Sequence, residues 1–378
     1  MRPITITGSI ILALVFLQIP YTGCVKPKLE IGQAEVIHTF ADDPPLYASP
    51  EGIALDRSGN IFVSKRTFDG SSYLKNEIVK ITPSGESSVL ADLGPAGPHG
   101  LGALGLTTDA TGNVYAVFAG DTEGHGVWKI TPDGGSEHLR GSENINVPNA
   151  LTFDNRGNLY VTDCFPAAPE DPEEPYGPGL VWRYGESGAF EVWASSELLA
   201  PDPDLDPLGP PPPADPVTAP GANGIVFAPP NRIYVANTEK SLILGIPILP
   251  DGSAGEVFVV AGAYPPAGPP GLLFAPDGLA IDTEGNLYTV VPPAGFTGFP
   301  LSPVIRITPA TGEVEAIVEP ILEPSAQFDF PTSLAFGTGP LDHRSLFVVG
   351  ITARLYGFEG SGPMITRVGA GVPGLTGP

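Results

Sequence analysis

Four polar residues of this 378-residue chain, Glu51, Asn149, Asn223 and Asp277, occupy equivalent places in a recurring sequence pattern. Two carboxylates and two carboxamide oxygens, without Cys or His, are the donors that suit Ca²⁺ best, with Mg²⁺ or Mn²⁺ as alternatives and Zn²⁺ less expected; water would complete the coordination. A carboxylate in such a ring can also take a proton from water, which makes Asp277 and Glu51 the candidate catalytic residues. The full column reads Glu51, Leu104, Asn149, Asn223, Asp277, Thr332. The competing account is that polar groups here only cap strand ends and hold water. His99 precedes the second member of the column and is a candidate substrate contact; for it, and for His125 in the turn before Val127, simple packing or exposure is the alternative.

The elements that must position these residues are visible in the repeat. It returns as PEGIALDRSGNIFVS from Pro50, LGLTTDATGNVYAV from Leu104, PNALTFDNRGNLYVTD from Pro148, ANGIVFAPPNRIYVAN from Ala222, PDGLAIDTEGNLYTV from Pro276 and PTSLAFGTGPLDHRSLFVVG from Pro331. Each copy is a short apolar strand, a turn that is D-x-x-G-N in most copies, and an alternating strand. The Gly-Asn pair supplies positive-φ conformers and so pairs the strands antiparallel across a tight hairpin. The recurring Asp56, Asp109, Asp154 and Asp282 start these turns and are assigned structural roles. A second strand pair follows most hairpins, as in Val127-Trp128-Lys129-Ile130, giving four strands per unit.

Six four-stranded meanders bury their faces only by stacking around a ring, so the expected fold is an all-β, six-bladed β-propeller over residues 34–368. Its inner strands open near 51, 104, 149, 223, 277 and 332, which brings the column to one mouth of the central channel. Glu35–Phe40 and Met364–Val368 compete for the strand that closes the sixth blade. Trp128, Trp182 and Trp193 read as packing between blades. Cys164, with no base beside it, reads as a buried structural thiol. Two acidic, Pro-rich segments, 166–178 and 201–220, are expected as loops outside the sheets, and 369–378 as a C-terminal tail.

Composition narrows the function classes. Gly 48 and Pro 46, with Val/Ile/Leu/Phe/Tyr runs between them, suit a turn-rich all-β chain. A net charge of −24 repels nucleic acid and anionic lipid surfaces while tolerating bound cations. Residues 1–23 have one Arg, an apolar stretch from Ile10 to Ile19 and a Pro-Tyr-Thr-Gly end, the anatomy of a signal peptide, with 24–33 as a linker. The stretch is short for a transmembrane helix, and export to a periplasm or the exterior is expected. Gly23-Cys24 also matches the end of a lipobox, so lipidation at Cys24 and ordinary cleavage nearby both stand. With only Cys24 and Cys164 there is no disulfide framework.

Over roughly residues 34–358 the chain resembles the gluconolactonase/senescence-marker-protein (regucalcin-like) family of six-bladed propellers. The resemblance is carried by Glu51-Gly52, Pro148-Asn149, Asn223-Gly224-Ile225, Pro276-Asp277-Gly278 and Pro331-Thr332-Ser333-Leu334-Ala335-Phe336-Gly337. It implies that Glu51, Asn223 and Asp277 hold a divalent cation and that Asn149 helps hold substrate. The implied activity is metal-assisted hydrolysis of a small-molecule lactone or simple ester. A non-catalytic exported propeller that binds a protein or glycan is the alternative.

Overall fold

The computed structural model describes residues 28–41, 45–165, 177–202, 220–264, 271–291, 301–339, 342–356, 359–375 and 377. The leader-like residues 1–23, Cys24 and most of the two Pro-rich segments lie outside the described residues.

Strand β1 (Ala34–Thr39) comes first. The first blade is β2 (Tyr47–Leu55), β3 (Ile61–Phe68), β4 (Tyr73–Ile81) and β5 (Ser87–Asp92); the second is β6 (Gly102–Thr108), β7 (Val114–Ala119), β8 (Gly126–Ile130) and β9 (Ser136–His138). The third is β10 (Pro148–Phe153), β11 (Leu159–Asp163), β12 (Gly179–Tyr184) and β13 (Phe190–Ser196); the fourth is β14 (Ala222–Ala228), β15 (Arg232–Asn237), β16 (Leu242–Pro247) and β17 (Phe258–Ala261). The fifth is β18 (Leu279–Ile281), β19 (Leu287–Val290), β20 (Val304–Thr308) and β21 (Glu313–Ala316). Last come β22 (Phe330–Phe336), β23 (Ser345–Ile351) and β24 (Met364–Gly369). They form six antiparallel four-stranded sheets, and β2 packs beside both β6 and β22, which closes the ring as a six-bladed β-propeller.

Both strands that competed to close the sixth blade are used. Its order is β1-β24-β23-β22, with β24 third and β1 outermost, Ala34 facing Val368 and Thr39 facing Met364. Arg367, fully buried, meets Glu35 across this closure at 2.8 Å.

The turn aspartates act as the repeat suggests. Asp56 Oδ1 accepts the Ser58 and Asn60 backbone N–H groups, and Oδ2 accepts Asn60 Nδ2 at 2.7 Å. Asp109, Asp154 and Asp282 do the same in their own turns. Gly59 and Gly157 take φ values of +80° and +83°, where a Cβ would be strained. Between blades the core is apolar: Tyr160 and Val181 of the third pack on Ile225 and Val235 of the fourth, and the Trp193 ring meets Tyr160 edge-on at 4.7 Å.

The expected tail, 369–378, is engaged with the ring where it is described. Leu375 N–H donates to Ile281 O and Gly374 N–H to His343 O, while Thr283 N–H donates to Pro373 O. It runs across the ends of the fifth and sixth blades where their inner strands finish.

Candidate functional site

On five inner strands the pairing with the second strand slips at one place: between Pro50 and Ile53, Ala103 and Leu106, Pro148 and Leu151, Ala222 and Ile225, and Pro331 and Ser333. Glu51, Leu104, Asn149, Asn223 and Thr332 stand in these slips. A bulge leaves its residues unmatched on the partner strand and re-aims their side chains; Leu104 packs into the apolar core of the second and third blades. The column therefore lies within the inner strands and not just before them. Pro50, Pro148 and Pro331 hide this in the sequence, because Pro is tolerated in a strand only at edges and bulges, and these inner strands are edges. Asp277 stands before β18, and its N–H donates to Val290 O at 3.1 Å, which extends the same pairing by one bond.

Hydroxyls fix this ring from blade to blade. Thr332 Oγ1 donates to Glu51 O at 2.9 Å, linking the sixth blade to the first. Ser64 Oγ accepts Gly52 N–H at 2.7 Å and donates to Leu104 O at 2.5 Å, linking the first to the second. Thr162 Oγ1 donates to Asn223 O, and Thr238 Oγ1 to Pro276 O, both at 2.8 Å. Asn223 Nδ2 in turn donates to Thr238 Oγ1 at 2.9 Å, which sets its carboxamide.

The residue after each column position is small because the strands nearly touch there. A Cβ on Gly224 would fall 2.2 Å from Asp277 O, and one on Gly52 would fall 2.3 Å from Leu104 O, both immovable backbone atoms. Gly224→Ala is expected to destabilise the fold by about 1–3 kcal/mol through overpacking. Urea unfolding measures this, and an unchanged midpoint would show that the ring has slack at this point.

The two carboxylates share a desolvated mouth. Glu51 is only 9% exposed, and its Oε2 has no hydrogen-bond partner. Burial pushes its carboxyl up to about 7, with the Arg66 guanidinium pulling the other way. Asp277, which keeps some solvent contact, lies well above the usual carboxylate range. Burial is the largest cause and repulsion from Glu51 the next, opposed by a hydrogen bond from Asn223 and by Arg66. Two desolvated carboxylates, one raising the proton affinity of the other, with one oxygen unpartnered and an amide alongside, fit a hard divalent cation. Among the described residues no three Asp, Glu, His or Cys converge to hold a metal, so such an ion would rely on the carboxamides as well.

Asn149, on the opposite side of the ring, hydrogen-bonds the sulfur of Cys164, whose thiol is pushed up by burial and then by Asp163, with Glu51 adding to it. Cys164 is fully buried, as the sequence suggested, but it lies against a site residue. Asp163 accepts Asn146 N–H at 3.0 Å and Val147 N–H at 2.8 Å, locking the turn that delivers Asn149. His125 is spanned between Gly120 N–H and Ile145 O. His99 is exposed on the β5–β6 connection, where its backbone N–H donates to Asp121; no described contact joins its ring to the carboxylates.

Sequence reasoning missed Arg66. It sits on β3 opposite Ser49, 5% exposed, in a strand whose alternation offers no hint that a cation is inside. The carboxylates also do not line the channel's apolar cavity, of about 310 Å³, which lies beyond the ring of small residues among Ile53, Leu106, Leu151, Ile225 and Phe336. Leu375 borders that cavity at the far end. The mouth, not the cavity, holds the titratable chemistry.

No family model and no curated protein matches the sequence. Solved structures do match. A gluconolactonase from Xanthomonas campestris is similar with a TM-score of 0.55 and 17% identity, covering 93% of this chain and 96% of that one. A luciferin-regenerating enzyme gives 0.56 and 19%, covering 88% and 94%. Regucalcin from Agrobacterium tumefaciens, described as a calcium-binding protein, gives 0.57 and 16%, covering 91% and 95%. The chain shares their six-bladed fold along nearly its whole length.

Proposed function

We propose that this chain is a divalent-cation-dependent hydrolase of a small lactone or simple ester. The observation that carries the proposal is the pair of Glu51, buried, and Asp277, half-buried, at the mouth, with Glu51 Oε2 unpartnered and its charge acting on Asp277. Glu51, Asn223 and Asp277 would hold the cation, for which Ca²⁺ suits the all-oxygen donor set best. When bound, the cation would supply Lewis-acid polarisation of the ester carbonyl. Asp277 keeps contact with solvent, and it takes the proton of the attacking water, a role suited to a carboxyl whose proton affinity is raised by burial and by Glu51. Asn149, locked through the turn that Asp163 holds, orients the substrate. Fold likeness to a gluconolactonase and to a calcium-binding regucalcin supports this assignment, and the leader-like residues 1–23 support an exported protein.

Metal analysis of the purified protein, with a lactone and ester panel run with and without chelator, tests it. A bound divalent ion and chelator-sensitive turnover are expected. A bound ion without turnover on any lactone or ester would instead favour a binding propeller, and no divalent binding at all would overturn the proposal.

A further inference from the structure

A fixed cation that the hydrolase reading does not use lies between the first and second blades, where its charge acts on both Glu51 and Asp277. Arg66 Nε donates to Ser49 O at 3.1 Å, Nη1 to Leu101 O at 3.0 Å and Nη2 to Ser49 Oγ at 3.0 Å. Its guanidinium carbon lies 4.6 Å from the centre of the Tyr73 ring. These anchors hold it between the first and second blades, on the strand that pairs with the Glu51 strand, in the sector where the column offers only Leu104. Among the described residues its nitrogens form no ion pair. A neutral donor would satisfy two carbonyls and a hydroxyl equally well, whereas a buried guanidinium without an ion pair is expensive unless its charge serves the site.

Two ionised carboxylates offset a divalent ion completely, and the guanidinium then leaves the loaded mouth with one net positive charge. We propose that Arg66 is a built-in counter-cation, which weakens divalent-ion binding and makes the loaded mouth receptive to a monoanion, of which a simple carboxylate is the type. Ester hydrolysis releases a carboxylate, so Arg66 is a specificity-determining residue for an anionic group beside the ion. This rests on the cation-dependent reading above.

The test uses the purified full chain stripped with chelator, titrated calorimetrically with calcium, and then with acetate once loaded. Arg66→Gln, whose amide nitrogen stands near the place of Nε and keeps a donor for Ser49 O, is expected to bind calcium about tenfold more tightly or better, since it removes a partly screened unit charge that acts on the site. It is also expected to lose the acetate binding shown by the loaded wild type, while Arg66→Lys stays close to wild type in both. A natively folded Arg66→Gln with unchanged or weaker calcium binding overturns the proposal while leaving the hydrolase reading intact. Loaded wild type that does not bind acetate overturns it too, and this measurement decides the matter if the variant does not fold. Wild type that takes no calcium or other divalent ion refutes both.

Discussion

Asp277→Asn is expected to weaken calcium binding about a hundredfold or more and to lower kcat/KM for any lactone or ester turned over by at least the same factor, since both the anionic ligand and the proton acceptor are lost. The substitution changes little else. Asn keeps the volume and carries no charge, so it escapes the burial and the repulsion from Glu51 that raise the Asp277 carboxyl. The backbone bonds from Asp277 N–H to Val290 O and from Thr238 Oγ1 to Pro276 O are untouched. Thermal unfolding in chelator should therefore show a variant at least as stable as its parent. Full stability with lost binding is the signature of a residue kept for function. Retained calcium affinity in Asp277→Asn would remove the basis of the proposed chemistry, and a collapsed melting temperature would show Asp277 to be a packing residue instead.

Glu51→Gln is expected to change how stability depends on pH. In the folded chain burial lifts the Glu51 carboxyl to about 7 from an ordinary 4.5, so between those values the folded protein binds more protons than the unfolded one. Stability in chelator must then fall as pH rises through this window, and it cannot recover above it. The loss from Glu51 is on the order of 3 kcal/mol by pH 8, and Asp277, shifted the same way, adds to it in direction. Glu51→Gln carries no such charge, so it should match the parent near pH 4 and exceed it at pH 8. Calcium should restore the parent at pH 8 but not the variant, because an ion that binds only the folded, ionised pair stabilises that state by mass action. Urea unfolding at the two pH values, with chelator and with calcium, measures all of this. Parallel pH profiles for parent and variant would mean that Glu51 is not desolvated in solution.

Much of the architecture is legible because it is local. A D-x-x-G-N turn between two alternating strands specifies its own hairpin through bonds such as Asn60 Nδ2 to Asp56 Oδ2, and repetition of that hairpin specifies the ring. The column of Glu51, Asn149, Asn223 and Asp277 is legible for the same reason, since equal register in equal units implies equal position. Strand limits are less so: prolines open several units, yet Pro50 and Pro331 lie within strands that bulge.

Sequence by itself determined the repeat, the hairpins, the fold class and which acids and amides share a register, all consequences of chain-local hydrogen bonding and side-chain period. Tertiary structure alone decided that β24 and β1 both serve the sixth blade, that Cys164 lies against Asn149, and that Arg66 lies between the first two blades, where its charge acts on both carboxylates. Those are matters of distance and desolvation between blades. They arise only when the ring closes and water leaves, so no stretch of the chain encodes them separately.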